Sequence, residues 1–416
     1  MTSIFSFVSR NWQISSPSEL PKSTNALKFG ILGAARIASS ALIKPAKTHP
    51  EVIIQTVAAR NKQKAVDYAK KHGIPQVHDS YEGTYAILDD PSIDAVYIPL
   101  PCSLHCEWAL KALSKGKHVL LEKPAVANAS EAEALFHSPL LQKPNAPILL
   151  EAFHYRFQPT WQFFLSLVDR PNLERVISVA KLPLYIIPRT GNQFNYELGG
   201  GNMLELGTYV MCVLREITGA EPEECTRCTV RKSPVSELCD EAAEATFRFP
   251  GDVVGEAVMD MRASASTLPT FKVTVVHKEI PVEDDKLPRG QQLLRVRKLT
   301  LNNFLMSATW HRIDIEDDFI VRKSASEVVK RWTKKESKKI YTFRDIGIDQ
   351  PGEPSWISYR HQLEQFVNHI RGREGSGLWV SNEDSLAQAK MIDMAYEKSG
   401  LPLRRTSKFV QLEASV

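Results

Sequence analysis

At 416 residues the chain is too long for one hydrophobic core and implies two domains. Its 52 Lys and Arg against 48 Asp and Glu leave a net charge of +4, too even for a dedicated nucleic-acid binder. No apolar run reaches the roughly 20 residues that span a bilayer, and six scattered cysteines fit a reducing compartment, so a cytoplasmic protein with no membrane partner is expected.

The opening stretch, 1–27, is Ser-rich and mildly apolar, with Arg10 as its one arginine. It lacks the basic start and the cleavage site of a secretory leader and reads as flexible. From Lys28 to Leu150 short apolar runs alternate with helical patterns. "KFGILGAA", "VIIQTVAAR", "QVH", "IDAVYIPLP" and "HVLLE" are predicted strands, each separated from the next by a helix. Aliphatic runs joined by helices mean a parallel sheet covered on both faces, so 28–150 is predicted to be an α/β Rossmann domain with a doubly wound sheet.

The rhythm changes after Glu151. "RVISVAKLPLYII", "EAEATFRF", "VVGEAVMDMRA" and "FKVTVVH" are longer and mostly alternate apolar with polar. That is the pattern of a large, mainly antiparallel sheet with one open face. An α+β domain over 151–405 is predicted, with a Lys- and Arg-rich insertion at about 282–338 and a tail at 406–416. "WISYRHQLEQFVNHIRG" is an amphipathic helix with Tyr359, Leu363, Phe366, Val367 and Ile370 on one face. Cys225 and Cys228 have CxxC spacing, but no second pair follows, so no metal is expected.

The first strand and its helix are joined by Gly33-Ala34-Ala35-Arg36-Ile37-Ala38. A dinucleotide turn of the G-x-G-x-x-G/A type must be tight and must aim helix N–H groups at a pyrophosphate. Gly33 and Ala38 fit; Ala35 stands where a second glycine is usual. Alone the match is weak. The second strand ends at Arg60, where NAD enzymes carry an acid for the ribose 2′-hydroxyl. An arginine suits the 2′-phosphate of NADP, with Arg36 in support, so NADP is expected over NAD. The fifth strand ends Glu122-Lys123-Pro124; Pro124 keeps Lys123 extended, at the carboxyl end of a strand, where open α/β sheets bind ligands.

"IDAVYIPLPCSLHCEWALKALSKGKHVLLEKPAVANASEAEALF", "LLEAFHYRFQP", "GGGNMLELGTY" and "YRHQLEQFVNHI…DSLAQAKMIDMAYEKSGLPLR" follow in that order. Together they resemble the Gfo/Idh/MocA oxidoreductases, in the branch of NADP-dependent D-xylose 1-dehydrogenases and dimeric dihydrodiol dehydrogenases. The resemblance covers 28–220 well and 355–405 less closely, and it fades over 270–345. It implies a homodimer acting on a sugar or cyclic diol by hydride transfer. It makes Lys123 the substrate-orienting lysine, Tyr209 the general acid/base, and Glu205 the counterpart of a family aspartate. Glu205 and Tyr209 are four apart, on one face of a helix, and the preceding glycines let that helix start close to the nicotinamide. A neighbouring lysine ammonium is expected to lower the Tyr209 pKa. Pro99, Leu100, Leu104 and His105 match the loop lining the nicotinamide ribose, beside Glu122. Arg156 and His154 are candidates to face substrate, although an ion pair bridging the domains is the stronger role for Arg156. Cys102, Gln193 and Asn195 depart from the branch, which keeps open a dinucleotide-binding regulator without turnover.

Overall fold

A computed structural model describes residues 4–324 and 327–413. The first domain is a parallel sheet of β1 (Leu27–Leu32), β2 (Val52–Ala59), β3 (Gln76–Asp79), β4 (Ala95–Ile98), β5 (His118–Leu121) and β6 (Leu149–Glu151). Their order is β3-β2-β1-β4-β5-β6, the doubly wound arrangement, whose switch point lies between β1 and β4. The strands are aliphatic because both faces are covered: β4 is buried at every position.

The second domain is built on a nine-stranded sheet. It contains β7 (Leu173–Pro183), β8 (Glu224–Ser233), β9 (Ser236–Phe249), β10 (Val253–Ala263), β11 (Thr270–His277), β12 (Ile280–Val282), β13 (Gln292–Asn302), β14 (Arg312–Arg322) and β15 (Val328–Lys338). The order is β15-β14-β13-β11-β7-β10-β9-β8, with β12 paired to β13. β7 and β10 run parallel; the other described pairs are antiparallel. Alternation decides which face is covered. Along β10 buried and half-buried residues alternate throughout, and the buried set packs on helix Thr208–Thr218. The basic insertion supplies β13 to β15, which widen this sheet. Cys225 and Cys228 lie on β8, with thiols pushed by burial to about 11 and about 12.

Two expectations change. The stretch read as a flexible leader contains a helix, Ile4–Ser15. Arg10 docks it: Nε donates to the Ala308 carbonyl at 3.0 Å, Nη2 to that of Thr309 at 3.1 Å, and the guanidinium lies 3.9 Å from the Tyr341 ring centre. A tertiary anchor, not helix propensity, orders the segment. Helix Ser358–Ile370, within the stretch assigned to the second domain, reaches back to the first, where Phe366 meets Phe29 of β1 edge to face at 6.1 Å.

Candidate functional site

The turn after β1 is held open by its first glycine. Gly33 has φ +115°, a conformation that disfavours any Cβ, and a Cβ there would lie 3.0 Å from Leu100. Leu100 belongs to the loop leaving β4, so the two loops of the switch point touch. Ala34 is buried and Ala35 half-buried; the Ala35 carbonyl accepts from the Tyr68 hydroxyl at 3.0 Å. The following helix opens with a π turn, Ser39–Ile43, where an ordinary helix was expected. Arg36, Ile37 and Arg60 are exposed, and neither arginine enters an ion pair among the described residues. A bare glycine turn flanked by two uncommitted guanidiniums fits a dinucleotide bearing a 2′-phosphate.

Lys123, Glu205 and Tyr209 come together beside this crevice. Lys123 Nζ donates to the Glu205 carbonyl at 3.1 Å, lies 3.7 Å from the Glu205 carboxylate, and sits 4.8 Å from the centre of the Tyr209 ring. Glu205 lies in a π turn, Met203–Gly207, that precedes helix Thr208–Thr218; such turns recur at functional sites. The Glu205 side chain is 33% exposed and that of Lys123 10%, so the cluster is reached from the Glu205 side.

The expected lowering of Tyr209 is corrected. Burial pushes this phenol well above the ordinary tyrosine range, and Tyr359, Glu122 and Glu205 push the same way. The ammonium faces the ring, while the hydroxyl meets His154 Nε2 at 3.1 Å and bonds to Tyr359. Tyr209 is therefore protonated near neutrality, the form of a proton donor.

Behind it, Glu122 accepts from the Tyr97 hydroxyl at 2.6 Å, and burial raises its pKa. With one oxygen on that hydroxyl and the other 3.3 Å from the Lys123 N–H, the carboxylate is taken up within the protein and is not placed as a ligand contact. His105 is not one either: its ring nitrogens lie 2.8 Å from the Pro124 carbonyl and 2.7 Å from that of Leu100, and it is buried. It braces the β4 loop against the Lys123 loop. Pro99 is buried and Leu100 half-buried in that braced loop. Arg156 is corrected as a substrate residue. Its guanidinium pairs with Glu216, at 2.8 Å, and with Asp384, which also takes Arg215 at 2.8 Å. Both carboxylates belong to helices of the second stretch, as Arg156 itself does, so the pairs tie that stretch together and the expected bridge between domains is not what they form. Of the departures, Cys102 points its thiol at the Pro124 carbonyl, at 3.7 Å, and Asn195 accepts from the Glu197 N–H. Two site residues were missed. Tyr359 had been read only as part of an apolar helix face. Tyr97 carried a signal: a tyrosine in a buried aliphatic strand needs a partner for its hydroxyl.

The Lys123 loop is held from behind as well. Glu151, at the end of β6, accepts from the Ala125 N–H at 2.8 Å and lies beside Ser385; burial pushes it to about 7. Asp393, which accepts from Ala129 N–H at 2.8 Å, is pushed to about 6. A folded-state pKa raised above its unfolded value near 4.5 means stability is full below that value and declines as pH rises to about 7. For Glu151 the loss is about 3 kcal/mol. Glu151→Gln keeps an acceptor for Ala125 and removes the buried charge. It is expected to melt higher than the wild type above pH 7 and to flatten the pH dependence; thermal melts across pH that remain parallel would contradict the assignment.

These features define a Rossmann domain coupled to an open-faced sheet domain, with a lysine–glutamate–tyrosine cluster at the joint. Residues 27–139 match the model of the Gfo/Idh/MocA oxidoreductase family with its NAD-binding Rossmann fold, which bears out the resemblance over that domain. The chain is 36% identical over 195 residues to D-xylose 1-dehydrogenase (NADP(+)) 2 of Haloferax volcanii, covering 46% of this chain and 58% of that protein. It is 33% identical over 209 residues to trans-1,2-dihydrobenzene-1,2-diol dehydrogenase of Xenopus laevis, covering 48% and 60%. The chain thus spans about three-fifths of the length of these relatives. Its fold is similar to that of a 3-ketoreductase from Actinomadura kijaniata solved with NADP and TDP-benzene, with TM-score 0.66 and 20% identity over 90% of this chain and 98% of that one. No helix among the described residues is long and apolar enough to cross a membrane.

Proposed function

We propose that the protein is an NADP(H)-dependent oxidoreductase that moves a hydride between the nicotinamide and a sugar or cyclic diol carbon. The observation that carries this is the convergence of Lys123, Glu205 and the protonated Tyr209 beside the switch-point crevice. The named relatives, an NADP xylose dehydrogenase and a dihydrodiol dehydrogenase, support the substrate class.

The Gly33 turn at the start of the helix would hold the pyrophosphate, Arg36 and Arg60 the 2′-phosphate, and Pro99 and Leu100 the nicotinamide side. When bound, NADPH supplies the hydride. The Lys123 ammonium orients and polarises the carbonyl oxygen, with Glu205 fixing the position of Nζ. The Tyr209 hydroxyl delivers the proton to that oxygen. Its raised pKa favours reduction of a carbonyl over oxidation of an alcohol, because an alcohol would need a tyrosinate as base. The test is fluorescence titration with NADPH and NADH. NADPH is expected to bind more tightly, and Arg60→Ala to weaken NADPH alone by roughly 10- to 100-fold, the loss of one or two charge-assisted hydrogen bonds. Equal affinity for both nucleotides, unchanged by Arg60→Ala, would reject the NADP assignment.

The scattered cysteines support a cytoplasmic location, and the open sheet face supports a homodimer. Ile177, Val179, Val258 and Val276 are half-buried on it, and Val179 pairs with Val258 across β7 and β10. An apolar face of this kind is covered by a partner. Val179→Glu together with Val258→Glu is expected to give a folded monomer by light scattering; a dimer unaffected by the two charges places the interface elsewhere.

A further inference from the structure

His154 lies where the reaction proposed above needs a second group. The residue is 5% exposed. Nε2 is 3.1 Å from the Tyr209 hydroxyl, Nδ1 is 2.7 Å from the Ser358 hydroxyl, and the ring packs 4.0 Å from that of Tyr359. Burial, helped by the Lys123 charge, lowers its pKa to about 3, so the imidazole is neutral and carries one N–H.

One N–H leaves two arrangements. If Nδ1 holds the proton, it donates to Ser358, and Nε2 must accept the Tyr209 proton. The phenol is then turned away from substrate. If Nε2 holds it, Ser358 donates to Nδ1, Nε2–H donates to the Tyr209 oxygen, and the phenolic proton is free to point outward. The reaction proposed above selects the second, the arrangement that leaves the single hydrogen of Tyr209 for the substrate, with the Tyr359 hydroxyl bonded to the same phenol. A phenol has one hydrogen, so Tyr209 cannot also donate to His154.

We propose that His154 is a positioning residue for Tyr209: held by Ser358 as the Nε2–H tautomer, it donates to the phenol oxygen, aims the phenolic proton at the substrate oxygen, and stabilises the tyrosinate left behind. In the step itself the Tyr209 O–H bond breaks, the proton goes to the alkoxide oxygen formed by hydride addition, and the negative charge rests on Tyr209, between Nε2–H and the Tyr359 hydroxyl. His154 neither gains nor loses a proton. The inference deepens the proposed function and rests on it for its purpose, but the tautomer exists without turnover.

The test has two arms. In nitrogen-15 spectra of histidine-labelled protein, the His154 signals are assigned by their absence in His154→Gln. A protonated Nε2 and an unprotonated Nδ1 are expected, with Ser358→Ala relaxing this preference. A protonated Nδ1 would overturn the inference whether or not the protein turns over. In the kinetic arm His154→Phe, which keeps the ring and loses the donor, is expected to lower kcat by roughly 100-fold. NADPH affinity and KM should stay unchanged, and the solvent deuterium isotope effect should rise. His154→Gln, whose amide can donate from the same place, should recover most of that loss. Equal loss in both variants, with lowered melting temperature, would mean that His154 only fills space. Wild-type protein that reduces no carbonyl while showing the Nε2–H tautomer would remove the proposed function and leave the tautomer assignment standing.

Discussion

Replacing Tyr209 by Phe is expected to slow carbonyl reduction about 1000-fold, the middle of the range for a lost general acid, with NADPH affinity unchanged. The ring stays. Phe at this position keeps the edge contacts to Phe153 at 6.3 Å and Tyr155 at 6.1 Å, and the face that Lys123 covers at 4.8 Å. What goes is the one hydroxyl able to protonate the product oxygen. The loss should fall on kcat and spare KM, because a group that acts only while charge develops does not hold the ground state. His154 Nε2 loses its partner in a buried site, so a stability cost of about 1–3 kcal/mol should accompany the change. The pH profile adds a separate check. Since burial raises the Tyr209 pKa, reduction by the wild type should not weaken through this group until above about pH 10. A variant that turns over normally, or a wild-type rate that falls away near neutrality with Tyr209 responsible, would remove Tyr209 from the chemistry.

The parts that could be read from sequence are those whose meaning is local. Strands β1, β2, β4 and β5 are aliphatic runs between helices, and burial on both faces allows little else there. Lys123, Glu205 and Tyr209 sit in motifs carrying their own spacing. β6 was missed because three residues, Leu149–Glu151, give no period to count. The bond between His154 and Tyr209 spans 55 positions, that between His154 and Ser358 spans 204, and Tyr97 comes from a different strand again. No pattern along the chain announces such a meeting. The sign of the Tyr209 shift failed for a related reason. Proximity to Lys123 was right, but whether an ammonium faces a hydroxyl or a ring is a matter of angle. Likewise Arg156 and His105 are polar residues in site-like motifs whose partners, once placed, use up their donors. The leader was misjudged because Arg10 finds its acceptors about 300 residues away.

Gly201→Ala is expected to be the most damaging small change in the chain outside the catalytic cluster. The glycine run before Glu205 had been read as clearance for a cofactor, yet Gly201 is pressed against a buried ion pair. Arg404 and Asp240 are both wholly buried, 3.4 Å apart. Arg404 also donates to the Gly200 carbonyl at 2.6 Å and to the Tyr396 hydroxyl at 2.9 Å, and Asp240 accepts from the Met203 N–H at 2.7 Å. A Cβ on Gly201 would collide with Arg404 Nη2 and lie 2.6 Å from the Tyr396 oxygen and 2.7 Å from Asp240, at a φ of +137° that side chains rarely adopt. Disrupting a buried pair costs about 3–5 kcal/mol, since each charge is left without its counterion. A fall in melting temperature of roughly 10 °C should follow. Because Asp240 also fixes the N–H of Met203, where the π turn carrying Glu205 begins, turnover should fall in whatever protein folds. Gly400→Ala supplies the control: its φ is +75°, but no atom lies within 4 Å of the added carbon. It should cost only the backbone strain, about 1–2 kcal/mol. If both variants lose the same stability, strain alone accounts for Gly201. A clear excess for Gly201→Ala assigns the difference to the Arg404–Asp240 pair, and makes that pair the footing on which the Glu205–Tyr209 segment stands.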